Sequence, residues 1–153
     1  MRCGNCKVCC YVTRVPELNK PENKWCSLCS AQGCKVYNRR PESCKNFSCF
    51  WYSHLELSDN VRPDLSYVMI EVLSGVSTMI AYVDPGHPEA WRNNEITFVF
   101  KELLRTGHPV LISVGKKEKH ILLPIGKTPK DALDDLSAFI LNLKNDKEPI
   151  VFQ

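Results

Sequence analysis

The chain has 153 residues, of which 44% are hydrophobic and 24% charged, a usage that excludes disordered and fibrous classes and allows one hydrophobic core. No apolar run approaches the roughly 18 residues that a spanning helix needs, and the opening MRCGNCKVCC has no apolar signal core. A cytoplasmic location and no membrane partner are therefore expected. The net charge of +3 is unevenly spread: residues 1–50 carry nine Lys and Arg against three Asp and Glu, whereas residues 51–153 carry eleven against fourteen.

Residues 1–50 show neither helical nor strand periodicity over a long window and are broken by Pro16, Pro21, Pro41, Gly4 and Gly33. Loops and short turns should dominate there. Such a stretch buries too little apolar surface to order itself, so residues 1–53 are expected to form a metal-binding lobe that is largely unfolded without metal. Residues 54–153 are expected to form an α+β layer packed with the lobe as one compact unit.

Within that layer, Tyr67 to Leu73 and Val76 to Val83 read as strands of a hairpin turning at Ser74-Gly75. Asp84-Pro85-Gly86-His87-Pro88 marks an ordered loop. Asn93 or Asn94 can cap a helix whose buried stripe is Ile96, Val99, Phe100, Leu103 and Leu104, with Gly107 just past its end. Val110 to Val114 and His120 to Leu123 read as a second hairpin around Gly115-Lys116-Lys117. Thr128 then caps a helix with Pro129 first and Asp131 in its first turn, burying Leu133, Leu136, Ile140 and Leu143. The expected architecture is α+β: a cysteine-rich, loop-dominated lobe, then a small antiparallel sheet with two helices on one face.

All nine cysteines lie between Cys3 and Cys49. In a reducing compartment closely spaced cysteines are metal ligands more often than disulfide partners, and the odd count would leave one thiol unpaired. The runs are Cys3-x2-Cys6-x2-Cys9-Cys10, Cys26-x2-Cys29-x4-Cys34 and Cys44-x4-Cys49. A two-residue spacer lets both sulfurs of a turn reach one metal about 2.3 Å away. Adjacent side chains of an extended segment point to opposite sides, so Cys9 and Cys10 should serve different sites. Two neighbouring four-thiolate sites are expected. With a divalent metal in each they would contribute about −4, cancelling most of the basicity and weakening any case for nucleic acid as partner.

The cysteine pattern, with Cys26-Ser27-Leu28 and the run from Gly33 to Cys49 that includes Tyr37-Asn38-Arg39-Arg40-Pro41-Glu42-Ser43-Cys44, resembles the YkgJ-type cysteine-cluster family, described as zinc- or iron-chelating. The resemblance covers residues 3–49, and Arg62-Pro63-Asp64 with the α+β tail is similar to one branch of that family. It implies metal ligation by Cys3, Cys6, Cys9, Cys10, Cys26, Cys34, Cys44 and Cys49. Cys29 falls outside the pattern and is not expected to be a ligand. Relatives include flagellin lysine methylases that carry an iron-sulfur cluster, which keeps that cofactor open.

Four thiolates suit zinc or iron, and the Cys3-Cys6-Cys9 triad tips the choice toward a [4Fe-4S] cluster because it reproduces three corners of such a site, although the usual Cys-Pro continuation is missing. Arg39 or Arg40 could donate hydrogen bonds to metal-bound sulfur, with Tyr37 and Phe47 excluding water. Phe50-Trp51-Tyr52 should pack the lobe onto the layer. The four histidines read as structural, His87 in its Pro-Gly loop being the best candidate for a ligand pocket. No phosphate loop, nucleophile elbow or paired-carboxylate motif is present, so any reaction must use the metal. The functional expectation is an iron-sulfur electron-transfer or accessory protein with a protein or redox partner. The alternatives are a zinc-stabilised module contacting nucleic acid or protein, and a metal-handling protein.

Overall fold

The computed structural model describes residues 3–116 and 118–137. Among them the cysteine-rich part forms short pieces: α1 (Val8–Val12), a two-stranded antiparallel ladder of β1 (Cys29–Ser30) and β2 (Gly33–Cys34), α2 (Glu42–Asn46) and α3 (Phe50–Ser53). Helices of four or five residues cannot sustain themselves in water, so their order depends on what they pack against. The remainder comprises α4 (Pro63–Ser66), β3 (Val68–Glu71), β4 (Met79–Val83), α5 (Asn94–Arg105), β5 (Val110–Val114), β6 (Glu118–Leu122) and α6 (Pro129–Asp135).

Helix α5 begins and ends where local chemistry dictates. The Asn93 side chain accepts from the Ile96 amide at 2.8 Å, and Gly107, with φ +90°, turns the chain out of the helix. The His108 amide then donates to the Leu103 carbonyl at 2.9 Å and the Gly107 amide to Leu104 at 3.0 Å, a Schellman closure. Helix α6 starts with a reciprocal capping box between Thr128 and Asp131. It is pinned to the start of β4 by Asp135, whose carboxylate accepts from the Thr78 amide and hydroxyl, both at 2.7 Å, and from Ser77. Leu136 is fully buried, whereas Ile140, Leu143 and Lys117 lie outside the described residues.

The four long strands run in the order β3-β4-β5-β6. Both hairpins form, β3 with β4 and β5 with β6, each antiparallel. The sheet is nevertheless mixed, because β4 and β5 pair in parallel from Met79↔Val110 to Val83↔Val114. An all-antiparallel sheet was expected. The correction has a physical cause: α5 is a crossover that returns the chain to the end of the sheet where β4 began.

The helices do not lie on one face either. One face presents Val68, Ile70, Ala81, Val83, Val110 and Ile112 to the α5 stripe of Ile96, Val99, Phe100 and Leu103 and to Trp51 and Trp91. The other presents Met69, Ile80, Tyr82 and Leu111 to Val12 of α1 and to Leu136, with Val8, Cys9, Tyr11 and Phe47 partly buried beside them. Both central strands are therefore buried on both sides, which accounts for their unbroken apolar runs MIAYV and VLISV. The cysteine-bearing segment forms the second covering layer of the sheet, and residues Cys49 to Trp51 join the main core without a break.

Candidate metal centre

Backbone contacts and the side chains of residues other than cysteine draw the three cysteine runs together. The Cys26 amide donates to the Cys10 carbonyl at 2.9 Å, and the Lys24 amide to Tyr11 at 3.1 Å. Lys7 Nζ donates to the carbonyls of Ser30 (3.2 Å) and Ala31 (3.0 Å), tying the first run to the β1–β2 turn. Glu17 accepts from the Ser43 amide at 2.9 Å and its hydroxyl at 2.7 Å, thereby capping α2, which carries Cys44. These two bonds hold the Glu17 carboxyl below its usual range. Cys49 is fixed by a bridge to Glu71, and the Val72 amide donates to the Ser48 carbonyl at 3.0 Å, so the last cysteine runs along the β3 edge.

Within this frame the thiols divide into two groups. Cys10 shares hydrogen bonds with Cys9 and Cys29, Cys44 lies within its electrostatic reach, and Cys26 lies within that of Cys29 and Cys44. The hydrogen bond with Cys9, followed by burial, pushes the Cys10 thiol far up; burial raises Cys29 and Cys44 as well. The second group centres on Cys6, pushed up to about 11 chiefly by burial, with the Asp64 carboxylate and Cys49 adding to the rise. The amides of Val8 and Asp64 face the Cys6 sulfur and partly offset it. The Cys6 amide donates to the Cys3 carbonyl at 2.8 Å, which closes the first turn. Crowded, half-buried thiols resist ionising one beside another; a metal cation among them reverses that preference because it stabilises every thiolate.

Cys9 and Cys10 sit in helix α1 rather than in an extended stretch, so consecutive side chains diverge by about 100° rather than 180°. The divergence gives them different surroundings, Cys9 packing with Cys49 against the sheet and Cys10 facing Cys29 and Cys44, but the two thiols remain hydrogen-bonded to each other. Cys34 lies opposite Cys29 on the same rung of the β1–β2 ladder. Cys29 therefore stands inside a thiol group.

Arg40 donates from Nε to the Tyr37 carbonyl at 3.1 Å and stacks over that ring, and Arg39 is exposed. Tyr37 itself is exposed, whereas Phe47 packs beside the sheet core. Two other cations stand nearer the sulfurs. Arg62 grips Asp64 through both nitrogens, at 2.6 and 3.1 Å, beside Cys6. Lys20 is 6% exposed among Cys10, Cys26 and Cys44. Lys20 belongs to no motif read in the sequence, whereas Arg62 and Asp64 are the ends of the Arg62-Pro63-Asp64 stretch.

The histidines have structural partners. His54 Nδ1 lies 2.8 Å from the Phe50 carbonyl, His108 Nδ1 2.8 Å from Ser77, and His120 pairs with Glu118. His87 stacks on Tyr67 with ring centroids 3.6 Å apart, at one wall of an open cleft of about 400 Å3. Among the described residues, no three His, Cys, Asp or Glu side chains are disposed as a closed ligand set for one ion. No helix among them is long and apolar enough to cross a membrane. Compared with family models, curated proteins and solved structures, the chain matches none.

Proposed function

We propose that the protein binds metal through cysteine thiolates in two groups, Cys10 with Cys26, Cys29 and Cys44, and Cys3, Cys6 and Cys9 with Cys49. The observation that carries this reading is the convergence of three separate cysteine runs through Lys7, Glu17 and the Cys26 amide. All nine cysteines lie in the segment that these contacts fold up, and the remaining hundred residues contain none. Donor type and number fit a thiolate-bound cation, and ligation asks that the sulfurs turn inward from the arrangement described. Thiol ligands of this kind belong in a reducing compartment, in keeping with a cytoplasmic protein.

Either zinc or a [4Fe-4S] cluster is compatible with sulfur-only ligation, and the resemblance to zinc- or iron-chelating cysteine-cluster proteins points to the same chemistry. The Cys3-Cys6-Cys9 spacing favours the cluster, and with it an electron-transfer or accessory role for a redox or protein partner. Anaerobic purification followed by iron, zinc and acid-labile sulfide analysis tests the proposal. Two site equivalents, counting a cluster as one, are expected; undamaged, reduced protein holding no stoichiometric metal refutes it. Brown protein with sulfide identifies the cluster, and colourless protein with zinc the other occupant.

A further inference from the structure

We propose that Cys29 and Cys34 form an oxidative modification site, closing an intramolecular disulfide across the β1–β2 ladder when the chain meets a peroxide. The inference goes beyond the metal-binding reading and needs no cation. It follows from strand register, and Cys34 lies in neither of the two thiol groups named above.

In the antiparallel ladder Cys29 faces Cys34 and Ser30 faces Gly33. The Lys35 amide donates to the Leu28 carbonyl at 2.9 Å, so Leu28 and Lys35 form a hydrogen-bonded rung. Rungs alternate along an antiparallel pair, which makes Cys29 with Cys34 a non-hydrogen-bonded one. Opposite residues on such a rung have Cα atoms about 4.5 Å apart and side chains on the same face. A disulfide spans Cα separations of about 4.4–6.8 Å, so this bond can close without a change of register. The other candidates are placed differently. Cys9 and Cys10 are consecutive in α1, where neighbouring side chains diverge by about 100°. Cys26 lies one turn before Cys29, whose amide donates to its carbonyl at 3.0 Å, and it is the competitor that a test must separate.

The ladder is held from outside as well. Gly33, with φ +112°, ends the turn, the Ser30 hydroxyl donates to the Gly33 carbonyl at 2.8 Å, and Lys7 Nζ reaches the carbonyls of Ser30 and Ala31. Both cysteines are partly exposed, which leaves room for an oxidant as small as hydrogen peroxide. One thiol attacks a peroxide oxygen, the O–O bond breaks, and a sulfenic acid and one water result. The opposite thiol then attacks the sulfenic sulfur, forming the S–S bond and expelling a second water. The two sulfurs lose two electrons to the peroxide, and both thiol hydrogens leave in the waters. Strands of two residues gain little order from their own bonds, so the new link locks the hairpin that Lys7 ties to the first cysteine run.

The test uses the full chain, reduced and held with a chelator so that every sulfur is free, and hydrogen peroxide in limiting amount. Remaining thiols are blocked with N-ethylmaleimide, disulfides are then reduced, and the released thiols are labelled with iodoacetamide. Trypsin cuts after Lys24 and Lys35, so Cys26, Cys29 and Cys34 arrive in one peptide whose fragmentation places each label. The expected main product carries maleimide on Cys26 and the second label on Cys29 and Cys34, and Cys26→Ser should give the same pair. A main product whose second label is missing from Cys29 or from Cys34 overturns the proposal, whether Cys29 has joined Cys26 instead or neither sulfur has formed a disulfide. Because metal is withheld, either result leaves the metal-binding reading to its own test.

Discussion

Val12 is the residue through which the cysteine-bearing segment grips the sheet, and truncating it measures that grip. Its side chain is 1% exposed in α1, two residues past Cys10, among Met69, Ile80, Tyr82, Leu111 and Leu136. Val12→Ala removes two buried carbons at about 0.8 kcal/mol each, and the void left between α1 and the sheet adds to that, for a total of roughly 2–3 kcal/mol. In a chain of this length the melting temperature should fall by roughly 4–12 °C. The assay is urea and thermal unfolding followed by far-ultraviolet circular dichroism on metal-stripped, fully reduced protein, so that no thiolate bond contributes. A loss below about 0.5 kcal/mol would refute the reasoning, because it would mean that α1 is not docked on the sheet unless metal holds it there.

Two further outcomes follow from the described contacts. Cys29→Ser should remove about one site equivalent of metal; metal analysis showing two equivalents retained would restore the ligand set implied by the family resemblance. Asp135→Ala strips four hydrogen bonds and leaves the fully buried Thr78 amide and hydroxyl unpaired, at a cost of roughly 2–3 kcal/mol read as a lowered urea midpoint. Burial alone would raise the Asp135 carboxyl, but the bonds from Thr78 and Ser77 prevail and hold it below its ordinary value. Its contribution is therefore present above the unfolded value and fades as pH falls through the folded one. The variant and the unmodified protein should converge in stability at strongly acidic pH, and a gap that widens on acidification would contradict the assignment.

Much of the α+β layer was legible because its signals are local. The Asn93 cap, Gly107 past the end of α5, Thr128 with Asp131, and the glycines at both hairpin turns each fix a few bonds within their own few residues. The parallel pairing of β4 with β5 was not, since strand direction is set by the path of the α5 crossover; the available signal was the pair of unbroken apolar runs, which imply cover on both faces. That cover comes from Val12 and its neighbours in a segment that looked too proline-broken to pack, and a five-residue helix offers too few turns for periodicity to reveal it. The cysteine runs were readable from spacing, whereas the place of Cys29 beside Cys10 was not, since the family pattern leaves it out and only the fold brings the two together. Lys20 could not be read, because only the fold brings three carbonyls and three cysteines to one ammonium.

X-ray absorption at the metal edge of anaerobically purified protein tests the central claim most directly, because it reports the atoms bound to the metal whatever the metal is. The account predicts a shell made of sulfur alone, four neighbours per metal at about 2.3 Å. A shell dominated by oxygen or nitrogen, or protein that carries no metal with all its thiols reduced, would contradict it.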